Sequence, residues 1–201
     1  MFKRVLTLST LAALALAARP DAAVAQGVSV TPFVGYYAPL GDVIDEGGLQ
    51  LGSQSTLAYG GRVTLATPGS WAFEGTLAYS GAGVESGGAE ADGNLMVLSA
   101  RALYRLGGLG PSGSLHAGVG LAYVSRGGEF WDEFEDGGVE GINDFGGTLG
   151  LGARFPLSPS MAIRVDLEDY IYSAKFNDAD EETEGKLQND ILLSAGLSFG
   201  F

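Results

Sequence analysis

The chain has 201 residues, with 24 acidic and 11 basic side chains and a formal net charge of −13, a balance that argues against a nucleic-acid partner, which basic patches would have to hold. It contains no cysteine, which excludes a disulfide scaffold, a thiol nucleophile and a cysteine-ligated metal. Its 33 glycines are about twice the ordinary share and follow no collagen period.

At the N-terminus, Lys3 and Arg4 precede an apolar stretch from Val5 to Ala18, and Ala23, Val24 and Ala25 provide a small-x-small cleavage site. This pattern predicts a signal peptide over residues 1–25, removed on export, with residues 26–201 forming one domain. The apolar stretch is short of the ~20 residues a spanning helix needs. No later segment reaches that length without charge or glycine, so any membrane insertion must use strands. Without the leader, which holds Lys3, Arg4, Arg19 and Asp21, 8 basic and 23 acidic residues remain.

From Gln26 onward, period-two alternation recurs eight times, predicting strands near 28–37, 56–66, 70–80, 94–106, 114–126, 144–155, 161–173 and 189–201. In the second, Leu57, Tyr59, Val63 and Leu65 share one face, and Ala58, Gly60, Arg62, Thr64 and Ala66 the other. The third sets Trp71, Phe73, Leu77 and Tyr79 against Ala72, Glu74, Thr76, Ala78 and Ser80. In the fifth, Leu115, Ala117, Val119, Leu121 and Tyr123 oppose His116, Gly118, Gly120, Ala122 and Val124, and in the seventh Met161, Ile163, Val165 and Leu167 oppose Ala162, Arg164, Asp166 and Glu168. The last segment alternates Ile191, Leu193, Ala195, Leu197, Phe199 and Phe201 with Leu192, Ser194, Gly196, Ser198 and Gly200. A large apolar face backed by a small polar one is the pattern of a transmembrane barrel, lipid outside and lumen inside.

The connections alternate in length. Those near 38–55, 81–93, 127–143 and 174–188 are long, while Thr67-Pro68-Gly69, Gly107 to Gly113 and Pro156 to Ser160 mark short turns. These features predict an all-β fold, an eight-stranded antiparallel up-and-down transmembrane barrel in the outer membrane, with both termini in the periplasm. A soluble up-and-down barrel also alternates, but it turns its large apolar residues inward. Against it stand the small inner face and the aromatics near strand ends, Tyr36, Tyr37, Tyr59, Trp71, Tyr79, Tyr104, Tyr123, Phe145, Phe155 and Phe199, where interfacial girdles belong.

The run Thr31-Pro32-Phe33-Val34-Gly35-Tyr36-Tyr37, followed by Leu40-Gly41-Asp42, and the closing Leu197-Ser198-Phe199-Gly200-Phe201 resemble the small OmpA/OmpX-like β-barrel proteins of Gram-negative outer membranes. The resemblance spans residues 26–201 and rests on architecture and termini. It implies insertion by the outer-membrane assembly machinery, with Phe199 and Phe201 as the assembly signal. It names no single function, because such barrels include structural proteins, adhesins, narrow pores and a few enzymes. No peptidoglycan-binding domain is expected after Phe201.

The small face carries the charges expected to form a lumen network: Arg62, Glu74, Arg101, Arg105, Arg126, Asp144, Arg154, Arg164, Asp166, Glu168 and Asp190. They admit two readings, an ion path and a structural plug. An eight-stranded interior is just filled by side chains, which favours the plug. His116 is the only histidine, with Ser114 two residues before it on the same face. A nucleophile system needs an oriented third partner that the sequence does not name, so no catalytic, metal or cofactor site is expected and the chain reads as a non-enzyme.

The long connections hold 17 of the 23 acids that follow the leader, including Asp132, Glu133, Glu135 and Asp136 beside Phe130, Trp131 and Phe134. Weak Ca²⁺ or Mg²⁺ binding, bridging these carboxylates to one another or to lipopolysaccharide phosphates, is the expected consequence. The reading of function is therefore a structural or surface-interacting outer-membrane barrel with a closed or very narrow lumen, its partners outer-membrane lipid and lipopolysaccharide. A small-solute pore and, behind it, a lipid-modifying enzyme are the alternatives.

Overall fold

A computed structural model of the chain describes residues 27–46, 49–53, 55–81, 84–86, 89–91, 93–110, 113–128, 143–174, 177–178, 181–182 and 186–201. The leader and most of the aromatic acidic connection, including Phe130, Trp131 and Phe134, lie outside the described residues. Eight long strands, β1 (Val28–Pro39), β2 (Thr56–Ala66), β3 (Trp71–Ser80), β4 (Asn94–Leu109), β5 (Gly113–Gly127), β6 (Asn143–Ser158), β7 (Met161–Ala174) and β8 (Lys186–Gly200), make a closed barrel. Each pairs antiparallel with its neighbours in sequence, and β1 closes on β8 through a register running from Ser29 with Gly200 to Pro39 with Asp190. Closure leaves no barrel edge unpaired, the condition for strands to sit in lipid.

Every expected strand edge falls within three residues of the observed one. The short turns differ most. β4 runs past Gly107 to Leu109 and β6 past Pro156 to Ser158, each through a register shift that absorbs the irregular residue. Gly69 (φ 114°) and Gly110 (φ 64°) take left-handed backbone at this end, where a side chain would be strained. The long connections also carry strands that periodicity did not reveal. Asp42–Glu46, Leu49–Ser53, Val84–Ser86 and Ala89–Ala91 form a four-stranded sheet, and Asn177–Asp178 pairs with Glu181–Glu182.

The two faces separate as alternation requires. Leu121 is 74 % exposed while Ala122 beside it is 4 % exposed, and the same contrast repeats around the wall through Leu57, Phe73, Leu98, Leu149 and Leu193. An apolar wall of this extent facing water would far exceed the patches soluble proteins tolerate, and lipid is its natural solvent. Aromatics pair across strands near both rims: Trp71 with Tyr104 at 4.9 Å beside the short turns, and Tyr59 with Tyr79 at 5.4 Å and Tyr123 with Phe145 at 4.9 Å beside the long connections. Tyr37 corrects the expected girdle, since it points inward and is buried. It shares the odd-numbered inner face of β1 with Thr31 and Phe33.

Inside, the half of the lumen beside the long connections is packed by Phe33, Tyr37, Leu95, Val97, Val124, Tyr170, Tyr172 and Leu192, together with several alanines. The lumen face is thus less uniformly small and polar than the sequence implied. Glycine permits the close packing of the wall itself. At Gly120 a Cβ would meet the Ala100 carbonyl oxygen and, at 2.7 Å, the Arg101 Cα of β4, whereas at Gly61 it would meet nothing within 4 Å. Gly120→Ala is therefore expected to lower the unfolding free energy by about 1–3 kcal/mol, as overpacking against backbone does. Gly61→Ala should stay within about 0.5 kcal/mol. Urea unfolding of the folded barrel checks both, and equal midpoints for the two variants would refute the packing argument.

Candidate functional site

Six ionised side chains from four strands meet in the middle of the lumen. Arg62 comes from β2, Glu74 from β3, Arg101 from β4, and Arg164, Asp166 and Glu168 from β7. All are buried, and three cations face three carboxylates. Arg101 Nη2 donates to Glu74 Oε1 at 2.6 Å and also pairs with Glu168. Arg164 pairs with Glu74 across the lumen and holds Asp166 through Nε and Nη2, each at 2.8 Å. Arg62 reaches Glu168 Oε2 at 3.1 Å, donates to Ser194 Oγ at 2.8 Å, and lies over the Phe33 ring with its guanidinium carbon 3.9 Å from the centroid. Hydroxyls complete the carboxylate shells, Thr64 on Glu74 and Tyr170 on Glu168, both at 2.7 Å.

These charges sit where glycine leaves room. A Cβ at Gly150 would come within 2.5 Å of Arg101 Nη1, and one at Gly152 would strike His116 and Asp166. The inward glycines of β6 are thus the floor over which the long side chains cross. An uncompensated buried charge costs several kcal/mol, so the network holds together only because each member has opposite charges on more than one side.

A second polar cluster lies nearer the long connections. Arg126 donates to Asp144 Oδ2 at 2.6 Å and to the Tyr172 hydroxyl at 3.1 Å, while Tyr172 at 2.5 Å and Tyr37 both donate to Asp190. Nine of the eleven charges expected in the lumen are therefore buried in two clusters. Arg105 and Arg154 are not. Arg105 is exposed and Arg154 half-buried, and neither forms an ion pair among the described residues. They share the inward parity of the network but stand near the short-turn ends of β4 and β6, past the last carboxylates. Tyr37, Thr64, Tyr170, Tyr172 and Ser194 belong to the site and escaped the sequence reading. Their only signal was inward parity, which uncharged residues share with the rest of the packing.

His116, 14 % exposed at its side chain, has Asp166 Oδ1 at 2.9 Å and Arg164 Nη2 at 3.1 Å, both at Nε2. Asp166 is the partner the sequence did not name. Ser114 shares no hydrogen bond with His116 among the described residues. Removing Asp166 would leave Arg164, Arg62 and His116 short of a carboxylate. Asp166→Ala is expected to lower barrel stability by about 3 kcal/mol or more, and Arg105→Ala to change it by no more than about 0.5 kcal/mol. An unchanged urea midpoint for the Asp166 variant would contradict the network.

The fold has counterparts among known proteins. Residues 6–199 match the model of the outer membrane protein beta-barrel domain family. No curated protein sequence matches the chain. Among solved structures, OprG from Pseudomonas aeruginosa superposes with a TM-score of 0.66 at 16% identity, over 88% of this chain and 96% of that one. A major outer membrane protein from Thermus thermophilus gives 0.53 at 16% identity, over 88% and 100%, and outer membrane protein W of E. coli gives 0.52 at 13%, over 90% and 100%. At these identities the structures speak to the fold alone, while the family match spans nearly the whole chain. The chain is a member of the outer membrane protein β-barrel domain family, and its place is the outer membrane.

Proposed function

We propose that this barrel is a non-conducting outer-membrane protein with a structural or surface-interacting role, carried by its outer wall and long connections rather than by its lumen. The observation that supports this reading is the filled interior. Arg62, Tyr37, Tyr170, Leu192, Gln188 and Glu168 are among the largest fully buried side chains, and they lie in the lumen of an eight-stranded barrel, which has room for little else. An ion crossing it would have to displace paired charges whose separation costs several kcal/mol.

In this reading the termini and short turns face the periplasm, and the acidic long connections face outward, where divalent cations are available to bridge them to lipopolysaccharide. The final strand, ending in Phe199 and Phe201, is the element the assembly machinery would engage. A lipid-modifying activity is disfavoured by the absence of a hydroxyl bonded to His116 among the described residues.

Reconstitution of the folded barrel into planar bilayers tests the reading. The expected outcome is insertion, verified by the heat-dependent gel shift of folded barrels, without discrete conductance steps. Reproducible steps under the same conditions would establish the small-solute pore instead.

A further inference from the structure

At the short-turn end the lumen opens into a cavity of about 390 Å³. Its lining includes Arg105, Arg154, Arg164 and His116, and no aspartate or glutamate side chain. In a chain with 24 acidic residues, a recess lined by three arginines and no carboxylate side chain is unexpected on composition alone. The register explains how they gather. Arg105 on β4 stands opposite His116 on β5, and Arg154 on β6 stands opposite both Ser114 on β5 and Arg164 on β7, so the three arginines and His116 come from four consecutive strands of one wall.

The three arginines are not equally engaged. Arg164 is spent on Glu74 and Asp166. The side chains of Arg105 and Arg154 have neither an ion pair nor a hydrogen bond among the described residues, and Arg154 is half-buried. Holding such like charges together in a partly enclosed recess is unfavourable unless an anion joins them. The guanidinium fork favours oxyanions that accept two parallel bonds, phosphate above all, and the hydroxyls of Ser114 and Ser198 border the same cavity as further donors. The volume lies in the range of small-molecule sites.

We propose that this vestibule binds a phosphate group, held by Arg105 and Arg154 with His116 and Ser114 at its edge. The inference is independent of whether the barrel conducts. A free phosphate compound and a phospholipid headgroup present the same chemistry, and the exposed Trp71 and Leu115 in the lining offer apolar contact to an acyl chain. The two sources are separated by experiment.

The folded full barrel in a nonionic detergent is titrated calorimetrically with sodium phosphate at constant ionic strength and, separately, with dihexanoyl phosphatidylglycerol below its micellar concentration. Saturable binding is expected in at least one arm. Phosphate binding assigns the site to a free solute, and binding of the lipid alone assigns it to a headgroup. Arg105→Gln and Arg154→Gln should each weaken the affinity about tenfold and the double variant abolish it, with the gel shift of the folded barrel retained because neither side chain has a structural partner. No saturation by the unsubstituted protein in either arm, or equal affinity in the double variant, would overturn the proposal.

Discussion

The interaction on which the rest depends is the ion pair between Glu74 and Arg164. In the cyclic order of the barrel, β3 and β7 stand diametrically opposite each other, so this contact spans the lumen and ties the two halves of the wall together. Its partners then follow. Arg101 and Thr64 fill the remaining acceptor positions of Glu74, and Asp166 and His116 surround Arg164. Desolvating six ions is costly, and only mutual pairing at close range offsets it. A three-to-three balance in the central cluster is the arrangement that leaves no member alone.

The glycine content serves that network. A lumen of eight strands is narrow, and arginine is long. Positions such as Gly150 and Gly152 supply the missing volume on one wall so that side chains from the other can cross. The same economy of space appears at the closure, where a Cβ at Gly196 would meet the Phe33 Cβ at 2.9 Å and the Phe33 Cα at 3.1 Å. Charge, glycine and closure are thus parts of one packing solution. The apolar layer around Tyr37, Leu192 and Val97 packs the side toward the long connections, and the cationic vestibule is the space left on the other.

Much of this was legible in the sequence because a strand has a period of two and a barrel has only two faces. The outward runs Leu57 to Leu65 and Trp71 to Tyr79, and the inward Arg62, Glu74, Arg164 and Asp166, follow from parity alone. Pairing does not. Glu74 and Arg164 are 90 residues apart, and which charges meet depends on strand register and barrel tilt, which alternation leaves unspecified. Parity also carries no height, so it groups Arg105 and Arg154 with a network that ends below them. Tyr36 and Tyr37 show the opposite difficulty. Adjacent aromatics must point to opposite faces, yet both faces of β1 are large enough to accept either, with Phe33 on one and Val34 on the other. The short strands of the long connections lie in glycine- and acid-rich segments, where no alternation was long enough to register.

A double-mutant cycle across the lumen measures the central claim directly. Urea unfolding of the barrel carrying Glu74→Ala, Arg164→Ala and both substitutions isolates the coupling between the opposite walls. The account predicts that the two effects fail to add by at least about 1 kcal/mol, as residues sharing one network do. Additivity within about 0.3–0.5 kcal/mol would mean that the two side chains act independently and that the barrel does not rest on its buried charges.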